Sequence, residues 1–159
     1  MKSMYIIQTV IGPLTVIESD NCITHIHFGE VNVMGIETRK TELIEETEKQ
    51  INAFYSGERD SFDLPLTLNG TEFQNKVWKA LLDIPKGETR SYKDIAEAVG
   101  SPNASRAVGM ANNRNPIPVI IPCHRVIGKN GKLVGFAGGL DLKEKMLMIE
   151  RKSIGTEAQ

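Results

Sequence analysis

The sequence predicts an α/β protein of the α+β kind, with a small antiparallel sheet under one covering helix followed by a mostly helical unit that contains a helix-turn-helix. Three observations carry that reading. The first third alternates apolar and polar residues in short runs, the period lengthens to helical spacing after Gly35, and several Gly- and Pro-punctuated helical stretches follow an extended connector. The 159 residues, 40% hydrophobic and 25% charged, suit one ordinary domain or two small ones and are too apolar for a disordered chain. No apolar run approaches the roughly 20 residues that cross a bilayer, so no membrane is expected among the partners.

Met4–Val10, Leu14–Glu18 and Cys22–Phe28, separated by Gly12-Pro13 and by Ser19-Asp20-Asn21, read as the strands of a meander. Leu43, Ile44, Thr47, Ile51 and Phe54 fall on one side of a helix that stops at Gly57. Asp63–Gly70 reads as extended, because Pro65 restricts its neighbour and Asn69-Gly70 is turn chemistry. The expected division is a first domain over 1–65, a connector over 66–72, a second domain over 73–152 and a tail over 153–159.

In the second domain Thr71 and Gln74 form a capping box for a helix carrying Phe73, Val77, Ala80 and Leu81, which Pro85-Lys86-Gly87 ends. Ser91 caps a helix from Tyr92 to Val99. Ser101 and Pro102 are expected to open the next one as N-cap and first helical residue, and it runs through Ala104, Arg106, Ala107, Val108 and Met110. The two helices across the Gly100 turn make the helix-turn-helix. Pro116, Pro118 and Pro122 then bracket an apolar run that cannot be a regular helix, and the expectation is a rigid extended rod ending at Cys123. Asp141 and Glu144 suggest a capping box for a last helix marked by Leu142, Met146 and Ile149.

Net charge over the whole chain is −1, which alone argues against a nucleic-acid binder. The average conceals an asymmetry. Residues 1–65 hold 5 Lys and Arg against 11 Asp and Glu, net −6, whereas residues 66–159 hold 14 against 9, net +5. The basic half is the one with the helix-turn-helix, as a nucleic-acid surface requires. The two cysteines, Cys22 and Cys123, make no disulfide framework, and the first residues carry no long apolar signal segment, so a reducing, cytoplasmic setting is expected.

A lone cysteine is ordinarily a buried apolar residue. Cys123 differs in being followed by His124 and Arg125, a base and a positive charge of the kind that turns a thiol into a nucleophile. Pro122-Cys-His-Arg-Val126 resembles the active-site signature of the O6-alkylguanine-DNA alkyltransferases, the methylated-DNA–protein-cysteine methyltransferases. Around it, Phe73-Gln74, Val77-Trp78, Gly87-Glu88, Ser91-Tyr92, Ser105–Gly109, Asn115–Pro118 and Gly135–Leu140 are similar to that family in order and spacing. The resemblance covers the whole C-terminal half.

That resemblance implies a ribonuclease H-like first domain and a winged-helix-like second one. It implies stoichiometric, suicidal transfer of a methyl or other alkyl group from O6 of guanine in duplex DNA to Cys123, with no cofactor, by a monomer. O4 of thymine is a further acceptor site for the damage. Under the same resemblance His124 takes the thiol proton through a water, Glu150 orients His124, and Asn115 is a hinge into the Pro-rich segment. Tyr92 helps eject the target nucleotide and hydrogen-bonds the departing guanine, and Arg106 fills the gap in the base stack. Ala104, Ala107 and Gly109 allow close approach to a minor-groove wall, and Lys93, Ser101 and Lys129 face the DNA backbone. Pro118, Val126, Phe136 and Ala137 line the base pocket, where some relatives have Tyr and Ser at the last two positions. Apart from the resemblance, the favoured reading of Glu150 is an exposed partner of a nearby lysine.

Cys22, His25 and His27 make the other metal-like cluster, but a fourth ligand is missing and no metal is expected. On an unbroken strand His25 and His27 share a face and Cys22 lies on the other. Three rival functions remain: a non-catalytic module that flags alkylated DNA, a helix-turn-helix regulator, and a multiple-turnover Cys-His hydrolase. The presence of Cys123 weighs against the first, and the Pro-Cys-His-Arg segment has no purpose in the second. In the third the nucleophile and base normally come from separate segments.

Overall fold

The computed structural model describes residues 1–133, 136 and 138–157, and the chain divides into two compact units, Met1–Leu68 and Asn69–Gln159. In the first unit β1 (Lys2–Thr9), β2 (Gly12–Ser19) and β3 (Cys22–Phe28) pair antiparallel in sequence order. Asp20 and Asn21 have φ of 53° and 63°, so the polar break between β2 and β3 is a two-residue hairpin loop, a conformation that Asn and Asp tolerate best among non-glycine residues. A two-residue strand, β4 (Glu37–Thr38), joins the other edge parallel to β1, giving the order β3-β2-β1-β4. Two residues are too few to show a period, and the sequence reading did not include it.

Pairing shifts between Ile17 and Glu18, with Ile17 opposite His25 and Glu18 opposite Ile23. The extra residue, Thr24, changes the parity of β3, so that Ile23 and Ile26 are both buried. It also brings Cys22, opposite Ser19, to the face of His25 and His27, which the unbroken two-residue period had placed opposite. The two imidazoles stack with centroids 5.9 Å apart. Helix α1 (Glu42–Tyr55) starts at Thr41, whose hydroxyl accepts from the Ile44 amide, and buries the predicted stripe of Leu43, Ile44, Thr47, Ile51 and Phe54. The connector is extended as expected, Leu66 bridging Ile23 in parallel.

The second unit opens with α2 (Glu72–Leu82), where the Thr71 and Gln74 side chains satisfy each other's backbone amides. A Cβ added at Gly70 would lie 2.5 Å from the Trp78 ring, so glycine is required there by contact. The second predicted capping residue, Ser91, also forms a reciprocal pair, with Asp94, at the head of α3 (Tyr92–Ala98). Helix α4 (Ser105–Asn113) begins later than the sequence suggested. Ser101 closes a turn by accepting from the Ala104 amide, and Ala104 is the N-cap with no side-chain bond. Ser101-Pro102 thus belongs to the turn, not to the helix. A short β5 (Arg90–Ser91) pairs parallel with β6 (Val126–Ile127). The last helix, α5 (Leu140–Glu157), already includes Asp141 in its first turn, where a carboxylate favours the positive end of the helix dipole instead of capping it. Among the described residues no helix is long and apolar enough to cross a membrane.

Candidate active site

The segment between Asn115 and Pro122 is a compact buried turn, and the extended rod expected from its prolines is not formed. Pro116 and Pro118 have no amide to offer a ladder, and the Ile121 amide instead bonds back to the Ile117 carbonyl at 2.9 Å. Asn115 stitches the turn from both ends: its Nδ2 donates to the Ile121 carbonyl at 2.7 Å and its Oδ1 accepts from the Ile117 amide at 3.0 Å. Val119 sits at φ 77°, a conformation that strains a β-branched residue by about 1–3 kcal/mol and persists only where surrounding packing imposes it. Ile117, Val119, Ile120 and Ile121 are all buried and supply that packing. The chain leaves the turn through a single 3-10 turn, Cys123–Arg125, whose three side chains are buried.

Helix α5 meets this turn with an unusual stripe. Lys143, Met146, Leu147 and Glu150, at helical spacing, are its buried face, so both ends of an apolar patch are charged residues with no exposure. One Glu150 oxygen bonds His124 Nε2, and the other accepts from Arg125 Nε at 2.7 Å. Arg125 also donates to the Ile84 carbonyl at 2.6 Å, behind α2. Burial pushes the Glu150 carboxyl up, and His124 and Arg125 together pull it below its ordinary value. Burial lowers His124, and Glu150 opposes that shift without reversing it. The resting pair is therefore a carboxylate and a neutral imidazole with its proton on Nε2. Nδ1 keeps its lone pair and has no hydrogen-bond partner among the described residues.

Cys123 is 5% exposed, and burial pushes its thiol up to about 11. Against burial work a hydrogen bond from the Asn115 side chain, the charge of Lys143 and the backbone amides of Cys123 and His124. Asn112, itself buried, donates to the Cys123 carbonyl at 3.3 Å. Tyr92, at the first turn of α3, is raised by burial and then by the nearby Cys123. A Cβ on Gly109 would be 3.6 Å from the Tyr92 ring, so this ring lies over the small side of α4. The structure thus sets Asn115 and Tyr92 against the Cys123 thiol, with Glu150 held on His124, the next residue in the chain.

The remaining predicted residues lie as follows. Lys93, Arg106 and Lys129 are exposed, and Ser101, Ala104 and Gly109 are half-buried. Arg106 stands on the side of α4 opposite its buried Val108, Ala111 and Asn112. Pro118 and Val126 are buried and Phe136 is half-buried, while Ala137 falls outside the described residues. Among the described residues no three His, Cys, Asp or Glu side chains are grouped to hold a metal.

Sequence reasoning missed Lys143, Asn112 and the role of Arg125. A signal for Lys143 existed, since it lies seven residues before Glu150 and hence on the same helix face. Its charge steered the reading towards Leu142 and Ile149, which the structure leaves half-buried.

Two family descriptions match the chain: "6-O-methylguanine DNA methyltransferase, ribonuclease-like domain" over residues 3–68 and "6-O-methylguanine DNA methyltransferase, DNA binding domain" over residues 72–152. A methylated-DNA–protein-cysteine methyltransferase of Methanosarcina barkeri is 48% identical over 155 residues, covering 94% of this chain and 97% of its own. The constitutive Bacillus subtilis protein of that name is 46% identical over 154 residues, covering 92% and 93%. Among solved structures, Mycobacterium tuberculosis OGT in complex with DNA superposes with a TM-score of 0.88 at 43% identity, covering 95% of this chain and 94% of that one.

Proposed function

The chain belongs to the 6-O-methylguanine DNA methyltransferase family, and on that premise we propose that it repairs DNA by moving the alkyl group of O6-alkylguanine onto its own Cys123. The observation that carries the proposal is the buried series Cys123, His124, Glu150 and Arg125, which sets a base with a free lone pair beside a thiol inside an apolar turn. A thiol raised to about 11 is protonated at neutral pH, so its proton must leave as the reaction begins. His124 takes it through a water at Nδ1, and Glu150 stabilises the imidazolium that forms. The thiolate attacks the alkyl carbon, a C–S bond forms as the C–O6 bond breaks, and one proton returns to the guanine, whose edge the Tyr92 phenol faces. The product is a thioether, which no group in the site can reverse. Each chain therefore acts once, as a methylated-DNA–protein-cysteine methyltransferase.

DNA is engaged by the residue 73–152 unit, which the net charge of the C-terminal half favours. Arg106 enters the base stack as the lesion leaves it, Ala104 and Gly109 admit the sugar-phosphate wall, and Lys93, Ser101 and Lys129 contact the backbone. Pro118, Val126, Phe136 and Ala137 form the wall of the base pocket. Since the reaction needs one thiol and one lesion, the monomer is a complete unit, and free Cys22 and Cys123 suit a reducing cytoplasm.

Incubation with duplex DNA containing O6-methylguanine tests the proposal. The tryptic peptide from Asn115 to Arg125 gains one methyl group, with at most one turnover per chain. Tight binding without modification would instead assign the chain to the non-catalytic module, and repeated turnover would make it an enzyme of another kind.

A further inference from the structure

Asn112 is a buried amide beside the nucleophile that is engaged at one end only. It lies on the inner face of α4 with Val108 and Ala111, opposite Arg106, and is 2% exposed. The Ala111 carbonyl next to it accepts from Trp78 Nε1 at 2.8 Å, which fixes this end of the helix. Asn112 Nδ2 donates to the Cys123 carbonyl at 3.3 Å, and the same carbonyl accepts from the Val126 amide. A carbonyl can only accept, so the nitrogen is the end that faces it and the orientation of the Asn112 amide is settled. The other end, Oδ1, is buried and receives no hydrogen bond among the described residues. Such an atom costs free energy unless a donor reaches it.

Neighbouring acceptors are already taken. Asn115 is bonded at both ends, to the Ile121 carbonyl and the Ile117 amide, and the two Glu150 oxygens hold His124 and Arg125. His124 Nδ1 is the other buried acceptor here without a partner among the described residues. Two unmatched acceptors thus attend one peptide link, that between Cys123 and His124. Oδ1 belongs to the amide that holds the Cys123 carbonyl, and Nδ1 belongs to the residue that follows. A water molecule matches this arrangement, with two O–H groups to donate and an oxygen left to accept from the thiol. About three partners is the usual complement of a buried water.

Building on the alkyl transfer proposed above, we propose that Asn112 is a positioning residue of its proton step, whose Oδ1 seats the water that links Cys123 to His124. In that step the S–H bond breaks as the water oxygen takes the proton, and one of the water's own protons passes to Nδ1. Thiolate, imidazolium and an intact water remain. Asn112 neither gains nor loses a proton. Since it stands on the helix that carries Arg106, one side chain joins the helix read as facing DNA to the proton path.

The test is a double-mutant cycle of Asn112→Leu, similar in shape and unable to hydrogen-bond, with His124→Gln. Single-turnover labelling of Cys123 is followed by peptide mass with free O6-benzylguanine and, in parallel, with iodoacetamide. Asn112→Leu slows both reactions about tenfold, the worth of one hydrogen bond to the reacting groups, while the final yield stays at one label per chain. In His124→Gln, where the relay has no base to reach, adding Asn112→Leu slows nothing further. A residue that only supported the fold would lower the yield or slow both backgrounds equally. An unchanged rate in Asn112→Leu, a lowered yield, or equal slowing in both backgrounds overturns the proposal. If Asn112→Leu does not fold, a high-resolution crystal structure of the wild-type protein decides: a water bonded to both Asn112 Oδ1 and His124 Nδ1 is expected, and no shared water, or a protein donor on Oδ1, overturns the proposal. A wild-type protein inert to benzylguanine but labelled by iodoacetamide refutes the alkyl-transfer reading alone, because the cycle remains legible in the iodoacetamide arm.

Discussion

Replacing Glu150 by Gln keeps the shape of the buried triad and removes its negative charge. Arg125, 7% exposed, then loses its carboxylate partner at 2.7 Å while keeping the Ile84 carbonyl. Breaking a buried ion pair from one side costs about 3–5 kcal/mol. The Gln oxygen can still accept from Arg125, and a hydrogen bond of this kind returns about 1 kcal/mol. The expected loss is thus about 2–4 kcal/mol, and with a urea dependence of about 2 kcal/mol per molar, mid-range for a small protein, the midpoint falls by roughly 1–2 M. A domain stable by about 5–15 kcal/mol remains folded, so activity can be read as well. His124 loses the anion that stabilises its protonated form, and single-turnover alkylation slows by about 10²–10⁴-fold. The pH dependence carries a sign. Glu150 is held below its ordinary 4.5, so its stabilisation is present above that pH and disappears as pH falls through the folded value. Urea midpoints of wild type and Glu150→Gln should therefore converge in acid. Adding Arg125→Leu to Glu150→Gln should restore part of the stability and none of the rate. A midpoint shift under about 0.3 M at neutral pH would refute the view that Glu150 is the counter-charge of Arg125.

Three further outcomes are expected. His124 is lowered from 6.5 by burial, so the unfolded chain binds its proton first and stability falls as pH drops below about 6.5; urea midpoints between pH 7.5 and 5.5 should decline in wild type and stay flatter in His124→Gln. Gly70→Ala should cost about 1–3 kcal/mol through the 2.5 Å approach to Trp78, read as a lower thermal midpoint; an unchanged midpoint would show that the ring moves freely. Arg106→Ala should slow repair of O6-methylguanine in duplex DNA far more than reaction with free O6-benzylguanine, which needs no flipping, and equal losses would remove Arg106 from the base stack.

What the sequence disclosed and what it hid follow from the range of each interaction. The Thr71–Gln74 capping box and the Ser91 cap are local, complete within four residues, and both form as read, and Asp94 adds a return bond to Ser91 that the reading left out. The α1 stripe likewise needs one helix and one apolar period. The errors occur where a local rule meets a distant partner. Ser101-Pro102 has the chemistry of a helix start, yet the turn from Gly100 at φ 80° uses those residues before the helix begins. The prolines of the 116–122 segment exclude a helix correctly, but extension was only one of the remaining options, and the Asn115 side chain selects the other. Thr24 shifts the β3 register because pairing with β2, not the pattern within β3, sets it. Cys123 and His124 were legible because they are adjacent in sequence. Glu150 became legible through family resemblance, and Lys143, on the same face of α5, was hidden by its charge.

A buried thiol pushed up to about 11 is at first sight the wrong nucleophile, since roughly one molecule in ten thousand would be thiolate at pH 7. For an acceptor consumed by a single reaction the resting state matters more than for a recycling catalyst. A standing thiolate would be exposed to any oxidant or electrophile, and one stray encounter would end the molecule's use. Neutral Cys123 beside neutral His124 avoids that loss while keeping Glu150 at hand for the imidazolium and Arg125 to hold Glu150 ionised inside the protein. Seating an alkylated base would displace solvent from the thiol and strengthen those fixed charges. The barrier to ionisation then falls where the substrate lies, so the burial that slows unwanted chemistry also makes the wanted reaction depend on correct docking.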